Sequence, residues 1–199
     1  MLKRTFKNTG VTLVELLVVM TILAVIGGIL YEVFSVSSKS SAKQISKEQN
    51  WLELRLINKK IDIILNNIIH ETANAVEKPS FKADSITVPA ITSNKDKKAV
   101  AFCNFINDVD KDGINRILLV KKQPDGKAFG DGILISVNNK LNASISFRYA
   151  AQYNGLEPVW QDSLPAGTYP KIIEYKITLI DDTLEKSENE ISFTGAVVY

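Results

Sequence analysis

The stretch KNTGVTLVELLVVMTILAVIGGIL, residues 7–30, decides how the chain begins its fold. From position 11 to position 31 every residue is apolar or glycine except Thr12, Glu15 and Thr21. An α-helix over these positions is about 30 Å long, which matches the hydrocarbon thickness of a bilayer. The sequence therefore predicts a membrane-spanning helix with one acidic residue near its start.

Glu15 needs an explanation, because a carboxylate in hydrocarbon costs about 2.5–3.5 kcal/mol on insertion scales and such a residue usually has a function. A secretory signal peptide is disfavoured. Its apolar stretch is only about 7–15 residues long, and the nearest small-residue cleavage site, Ser40-Ser41-Ala42, lies well beyond this one. An uncleaved anchor fits the length but leaves Glu15 unexplained.

The charge of the chain is unevenly placed. The formal net charge is +2, and the first ten residues hold Lys3, Arg4 and Lys7 without any acid. The positive-inside rule places this end in the cytoplasm and the C-terminal body across the membrane. The rest of the chain has no net positive charge, so its bulk charge argues against nucleic acid as a partner.

The segment KNTG followed by VTLVELL, residues 7–17, resembles the class III signal of type IV pilins and type II secretion pseudopilins. That family has a short basic leader ending in glycine and then an apolar helix with glutamate at its fifth position. The resemblance implies cleavage between Gly10 and Val11 by a membrane prepilin peptidase, which also methylates the new N-terminus. It makes residues 1–10 a leader peptide and residues 11–34 the transmembrane and assembly segment.

The same resemblance implies an assembly role for Glu15. In filaments of this family, the glutamate of an incoming subunit meets the N-terminal amine of a subunit already assembled. Opposite charges in a low dielectric offset part of the cost of burial. The implied partners are other pseudopilins or minor pilins, the prepilin peptidase and an inner-membrane assembly platform.

Beyond the apolar stretch, apolar residues recur at three-to-four spacing. The positions are Trp51, Leu54, Ile57 or Asn58, Ile61, Leu65, Ile68 and Thr72. The spacing predicts an amphipathic stem helix that continues to about Asn74 and packs on a sheet.

After Pro79 the pattern becomes that of strands separated by turns. The predicted strands are Ser85–Ile91, Ala99–Ile106, Arg116–Lys121, Gly132–Val137, Ala143–Tyr149, Lys171–Ile180 and Glu190–Val198. One long helix followed by hairpins predicts an α+β fold, a pilin-like roll in which an antiparallel sheet wraps on the stem helix. Residues 35–199 then form a periplasmic globular domain that includes the stem.

Weaker features of this domain resemble the minor pseudopilins of the J type and the related W-type minor pilins. They are the stretch WLELRLINKKIDIILNNI at 51–68, an acidic glycine turn, and VWQDSLP at 159–165. The J type implies a structural subunit that initiates or caps the pseudopilus of a type II secretion system. The W type implies pilus assembly, adhesion or DNA uptake. Both imply a single-pass inner-membrane protein whose C-terminal domain is periplasmic or extracellular.

The acidic turn has two interpretations. Asp108, Asp110 and Asp112 followed by Gly113 reproduce the first half of an EF-hand loop, which predicts a structural Ca²⁺ site. The carbonyl of Ile114 would help to complete the shell, because the twelfth position of the loop is not a glutamate. The alternative is a solvated hairpin turn, in which Asp and Gly are common. Calcium binding by an uncleaved, membrane-anchored protein is the functional alternative from another class.

Nothing in the sequence indicates an enzyme. His70 is the only histidine and falls on the predicted stem, so no histidine-rich metal site or catalytic dyad is expected. Cys103 is the only cysteine and falls in a predicted strand, where we expect a small buried apolar side chain.

Overall fold

The computed structural model describes residues 12–69, 76–94, 97–128, 132–135, 141–184, 186 and 189–199. In these ranges the chain forms one helix, α1, at Leu13–Leu65, and then only β-strands. The strands are β1 (Ser80–Phe81), β2 (Ser85–Asn94), β3 (Lys97–Val109), β4 (Asn115–Lys122), β5 (Ile133–Leu134), β6 (Leu141–Asn154), β7 (Glu157–Gln161), β8 (Ile172–Asp181) and β9 (Glu190–Val198). The predicted α+β class is confirmed.

The chain divides into two compact units. The first ends at Ser46 and, in its described part, consists of the first half of α1; the second is Lys47–Tyr199. The second unit contains the rest of α1 and all the strands, so it is the globular domain. The boundary lies inside the helix, about a dozen residues beyond the end predicted for the transmembrane segment.

The strands of the globular domain form two antiparallel sheets rather than the single sheet predicted. Sheet A has the order β1-β2-β3-β4-β5, and sheet B has the order β7-β6-β8-β9. The prediction located β9 to the residue, and it located β2, β3, β4, β6 and β8 to within a few residues at each end. Within the predicted Gly132–Val137, β5 covers only Ile133–Leu134, and the positions from 136 lie outside the described residues.

Two short strands, β1 and β7, are absent from the prediction. The strand predicted to end at Tyr149 instead continues to Asn154 and turns back at once into β7. Gly155, with φ at +66°, allows this tight turn. Asn154 pairs with Glu157, so the turn consists of Gly155 and Leu156, and a glycine at the first of the two central positions is the signal in the sequence for this hairpin.

α1 ends earlier than predicted. Helical structure stops at Leu65, and residues 66–67 form a turn. Asn66 and Asn67 donate their side-chain amides to the backbone carbonyls four residues earlier, at 2.9 and 2.6 Å. The bond from Asn67 satisfies the carbonyl of Ile63, which the last helical turn leaves open, whereas the carbonyl of Asp62 also accepts the backbone N–H of Asn66 at 2.9 Å.

After the helix, the chain pairs with sheet A. Ile68 forms an isolated bridge with Ala90 of β2. The prediction of a helix to Asn74 is therefore wrong for residues 66–69, because pairing with β2 replaces the helical hydrogen bonds. Residues 70–75, with His70, lie outside the described residues.

The second half of α1 packs its apolar stripe into the core that the two sheets share. Leu54, Ile57, Ile61 and Leu65 are each at most 2% exposed. Each such side chain contributes about 1.5–3 kcal/mol through burial. Trp51, predicted on the same stripe, is instead 54% exposed.

Polar contacts fix this part of the helix on sheet B. The hydroxyl of Tyr175 in β8 donates to Oδ1 of Asn58 at 2.7 Å, and the buried Nδ2 of Asn50 donates to Oδ2 of Asp181 at 2.9 Å. The hydroxyl of Tyr199 donates to a carbonyl of the last helical turn, that of Leu65, at 2.7 Å. Burial is the main cause that raises the pKa of Tyr175 to about 12, so this hydroxyl remains a donor at neutral pH.

The two sheets meet where β6 passes β3. Asn107 of β3 donates through Nδ2 to the carbonyl of Ile145 and accepts the N–H of the same residue on Oδ1, both at 2.8 Å. Its side-chain amide thus takes the place of a neighbouring strand at the free edge of β6. The sheets are joined there without a continuous backbone ladder.

Candidate membrane and assembly segment

α1 begins with a capping box formed by Thr12 and Glu15. Oε2 of Glu15 accepts the backbone N–H and the hydroxyl of Thr12, both at 2.9 Å. In return, Oγ1 of Thr12 accepts the N–H of Glu15 at 3.3 Å. This reciprocal pair satisfies donors that a helix start leaves free. The Thr-x-x-Glu spacing is the signal for this box in the sequence, and it gives Glu15 a capping role beside the assembly role that the resemblance implies.

The capping box leaves one oxygen of Glu15 available. Within the described part of the chain, no hydrogen bond to Oε1 is formed. Cleavage after Gly10 would leave the box intact, because Thr12 keeps its peptide N–H when Val11 becomes the first residue. A structural cap and a charge for assembly are therefore compatible in this one side chain.

Residues 13–31 of α1 are apolar apart from Glu15 and Thr21, and they are exposed. An 18-residue window of the helix has a mean hydropathy of 2.7, and none of it is buried within the structure. Of the described helices and strands, only α1 is a helix long and apolar enough to cross a membrane. Its internal polar group, the hydroxyl of Thr21, donates to the carbonyls of Leu17 and Val18 at 3.0 and 2.8 Å. Beyond Glu15 this stretch therefore presents a continuous apolar surface, in which the hydroxyl of Thr21 is satisfied within the helix.

Comparison with known families identifies this segment independently. Residues 5–31 match the family model of the prokaryotic N-terminal methylation motif. The match covers the predicted cleavage site and Glu15, and it indicates a type IV pilin-like protein with a prepilin leader. Gly10 and Val11 themselves lie outside the described residues. No curated protein and no solved structure gives a significant match to the chain.

The motif and the helix agree on the same class of protein. A type IV pilin-like protein is a substrate of prepilin peptidase, is anchored by a single apolar helix and assembles with other pilins.

The predicted calcium loop lies between β3 and β4, where Asp110 organises the turn. Oδ1 of Asp110 accepts the backbone N–H groups of Ile114 and Asp112, both at 2.9 Å. The other oxygen, Oδ2, forms an ion pair with Arg116. The N–H of Ile114, followed by that of Asp112 and the charge of Arg116, lowers the pKa of Asp110.

These contacts engage Asp110 and Ile114, two of the four residues that the calcium interpretation requires. The carbonyl of Ile114 accepts the N–H of Asp110 at 3.0 Å, while Asp108 and Asp112 are exposed. Among the described residues, no three His, Cys, Asp or Glu side chains converge to hold a metal ion. Of the two interpretations of this loop, the geometry therefore favours the hairpin turn, which here contains an ion pair, over a Ca²⁺ shell.

Cys103 lies in β3 with no exposed surface. Burial raises the pKa of its thiol to about 11. A thiol in this state is unreactive at neutral pH, because the thiolate is the nucleophile. The expected role as a small core side chain fits its position.

Proposed function

We propose that the chain is a minor pseudopilin, a structural subunit that initiates or caps the pseudopilus of a type II secretion system. The observation that carries the pilin-like part of this assignment is the methylation motif at residues 5–31, located on an exposed apolar helix that begins with the Thr12–Glu15 capping box. The globular domain adds softer support through the J-type resemblance of its stem and of the segment at 159–165.

In this proposal the leader is removed in the inner membrane, and the domain from Lys47 onward lies in the periplasm. Glu15 then acts in assembly. Its Oε1 accepts a hydrogen bond from the methylated amine at the N-terminus of a subunit already in the filament, while Oε2 continues to cap its own helix. The chain carries out no reaction itself, since the chemistry on Val11 belongs to the prepilin peptidase.

The decisive experiment is intact mass spectrometry of the chain from membranes that contain the cognate peptidase. The proposal predicts a polypeptide that begins at N-methylated Val11. A chain that begins at Met1 would support the uncleaved anchor and reject the assignment. A start near Lys43 would identify a secreted domain and reject it equally.

A second experiment separates secretion from pilus assembly, the W-type alternative. Deletion of the gene in its own host should retain exported proteins in the periplasm and leave surface pili unchanged. Loss of pili with normal export would replace the pseudopilin assignment by that of a minor pilin. The matched control is the deleted strain complemented with the wild-type chain.

A further inference from the structure

Among the residues that the structure describes, no strand pairs with the outer edge of β9. The N–H of Tyr199 bonds to the carbonyl of Lys171 at 2.9 Å, and the N–H of Asp181 bonds to the carbonyl of Asn189 at 2.8 Å. Both pairs continue the register of β8 with β9. Because hydrogen-bonded pairs alternate along an antiparallel ladder, the odd-numbered residues of β9 bond to β8 and the even-numbered ones point their backbone groups away. Those outward residues are Glu190, Ser192, Thr194, Ala196 and Val198.

This edge is long and lacks the features that usually protect one. Within the described residues, nothing bonds to the outward backbone groups of β9. The strand is nine residues long and contains neither proline nor lysine, and its pairing with β8 has no bulge. Natural sheets commonly block such edges with those devices.

The other sheet edges are protected, which makes β9 exceptional. At the opposite edge of sheet B, β7 has only five residues, contains Pro158 and pairs through a register shift. The part of β6 that β7 does not cover bonds at Ile145 to the side chain of Asn107 and at Phe147 to the carbonyl of Ala83. In sheet A the edge strands β1 and β5 have two residues each. The described part of the fold therefore leaves one extended template for an added strand.

A groove runs beside this edge on the helix side of sheet B. It has a volume of about 590 Å³ and lies between the second half of α1 and β9. Trp51, Leu52 and Phe193 line it and are 54%, 58% and 37% exposed. An added strand would lie about 4.8 Å from β9, so alternate side chains would point into this groove beside Phe193.

A lysine on the opposite face of sheet B indicates which charge an added strand would carry there. Lys176 of β8 is exposed and lies directly across from Thr194. Its neighbours Arg148 and Glu174 pair with each other, and no ion pair to Lys176 is formed within the described residues. An acidic residue opposite Thr194 on an added strand would lie within reach of this ammonium group.

We propose that the outer edge of β9 binds an extended segment of a neighbouring pilin-like subunit by β-strand addition. The segment is apolar at the alternate positions that fill the groove and acidic at the position opposite Thr194. This inference rests on the proposed function for the existence of neighbouring subunits. It adds a second contact, in the globular domain, to the one made by Glu15.

Thr194→Pro is the direct test, because it removes an outward N–H and breaks no bond to β8. Thr194→Val is the matched control, since it also removes the hydroxyl but keeps the N–H. Ser192→Cys is introduced into the full-length chain, which is the parent, and into both variants, and its thiol is labelled with a benzophenone photo-crosslinker. The buried Cys103 stays unlabelled. Irradiation is carried out in membranes that contain the sibling subunits.

We expect an adduct with a subunit that carries the same methylation motif. Thr194→Pro should lower its yield by about tenfold or more, and Thr194→Val should leave it within about twofold of the parent. Equal yields in two folded variants would overturn the inference. It would be overturned equally by no adduct, or by adducts only with lipid, with unrelated protein or with a second copy of this chain.

A second pair of variants covers the case in which Thr194→Pro does not fold. Lys176→Glu should lower the adduct yield by about fivefold or more, and Lys176→Gln should lower it less, because only the first repels an acidic residue. Equal yields for these two would also overturn the inference. If Val11 is not the N-terminus, the proposed function fails; if it is and the adduct does not respond, only the β9 inference fails.

Discussion

The two halves of α1 have similar apolar residues and opposite surroundings. Before Ser46 the large apolar side chains are exposed on every side of the helix, as Leu17 and Ile26 illustrate at 59% and 47%. After Lys47 one stripe is buried, with Ile57 and Ile61 at 0%. The first half thus obtains its stabilisation from outside the chain, from lipid or other helices, and the second obtains it from the chain's own sheets.

Assembly should respond most strongly to Glu15. Glu15→Ala removes both the cap and the charge, whereas Glu15→Gln keeps an oxygen that accepts from Thr12 and removes only the charge. We expect both variants to insert in the membrane and neither to be incorporated into filaments, measured in sheared filament fractions. Incorporation of Glu15→Gln at the wild-type level would show that the cap, and not the charge, is what assembly requires.

A core substitution in the second half of α1 should have the largest effect on stability. Ile61→Ala should lower the free energy of unfolding by about 2–5 kcal/mol, because it leaves a cavity in the shared core. Ile26→Ala in the first half is the matched control and should leave unfolding of the domain unchanged within about 0.5 kcal/mol. Denaturant titration of the full chain in detergent measures both. A similar loss in the two variants would mean that the halves are not independent.

The next largest effect on stability is expected where Tyr175 packs against β9. A Cβ added to Gly195 would lie 2.5 Å from both Cζ and the hydroxyl oxygen of Tyr175. Gly195→Ala should therefore displace the ring, weaken its bond to Asn58 and cost about 1–3 kcal/mol. Gly28→Ala, where an added Cβ meets nothing within 4 Å, is the control and should not lower the melting temperature. Equal melting temperatures for both variants would contradict the close packing described here.

The smallest effect is expected at the acidic turn. Because its hydrogen bonds lower the pKa of Asp110 in the folded state, this carboxylate stabilises the domain above its unfolded pKa of about 4 and loses that effect as the pH falls through the folded value. Asp110→Asn should melt below the wild type at pH 7, and the difference should shrink at lower pH. A difference independent of pH would point to packing instead.

Calcium addition is the companion measurement. We expect no shift in the melting temperature of the wild-type chain between excess Ca²⁺ and a chelator, because Arg116 already pairs with Asp110. A calcium-dependent increase that Asp110→Asn abolishes would instead establish the EF-hand-like interpretation of the loop.

Periodicity predicted the parts of the fold in which burial follows the sequence closely. β8 alternates strictly, and its residues Ile173, Ile177 and Leu179 are buried on one face as expected. Periodicity did not predict the division into two sheets. The sheets are joined by the side chain of Asn107, and a single asparagine in a strand is not a periodic signal. The exposure of Trp51 was also not predictable. Helical spacing shows which face of the helix a residue lies on, but not where the sheet that covers this face ends.

The assembly segment was predictable because its signal is local. Residues 7–17 contain the leader, the cleavage site and Glu15 in a fixed order. The turn at Asp110 was harder, since the spacing of its carboxylates fits both calcium and a hairpin. Arg116, which favours the hairpin, lies outside the motif and approaches only when β4 pairs with β3.

The contacts that hold α1 on sheet B also determine when the domain is able to form. Asn58 bonds to Tyr175, Asn50 to Asp181 and Leu65 to Tyr199, and these partners are 117, 131 and 134 residues apart in the sequence. The apolar stripe of the helix is therefore synthesised long before the strands that cover it. Folding of the domain must follow synthesis of most of the chain, and the uncovered stripe is a natural point for a chaperone to bind in the interval.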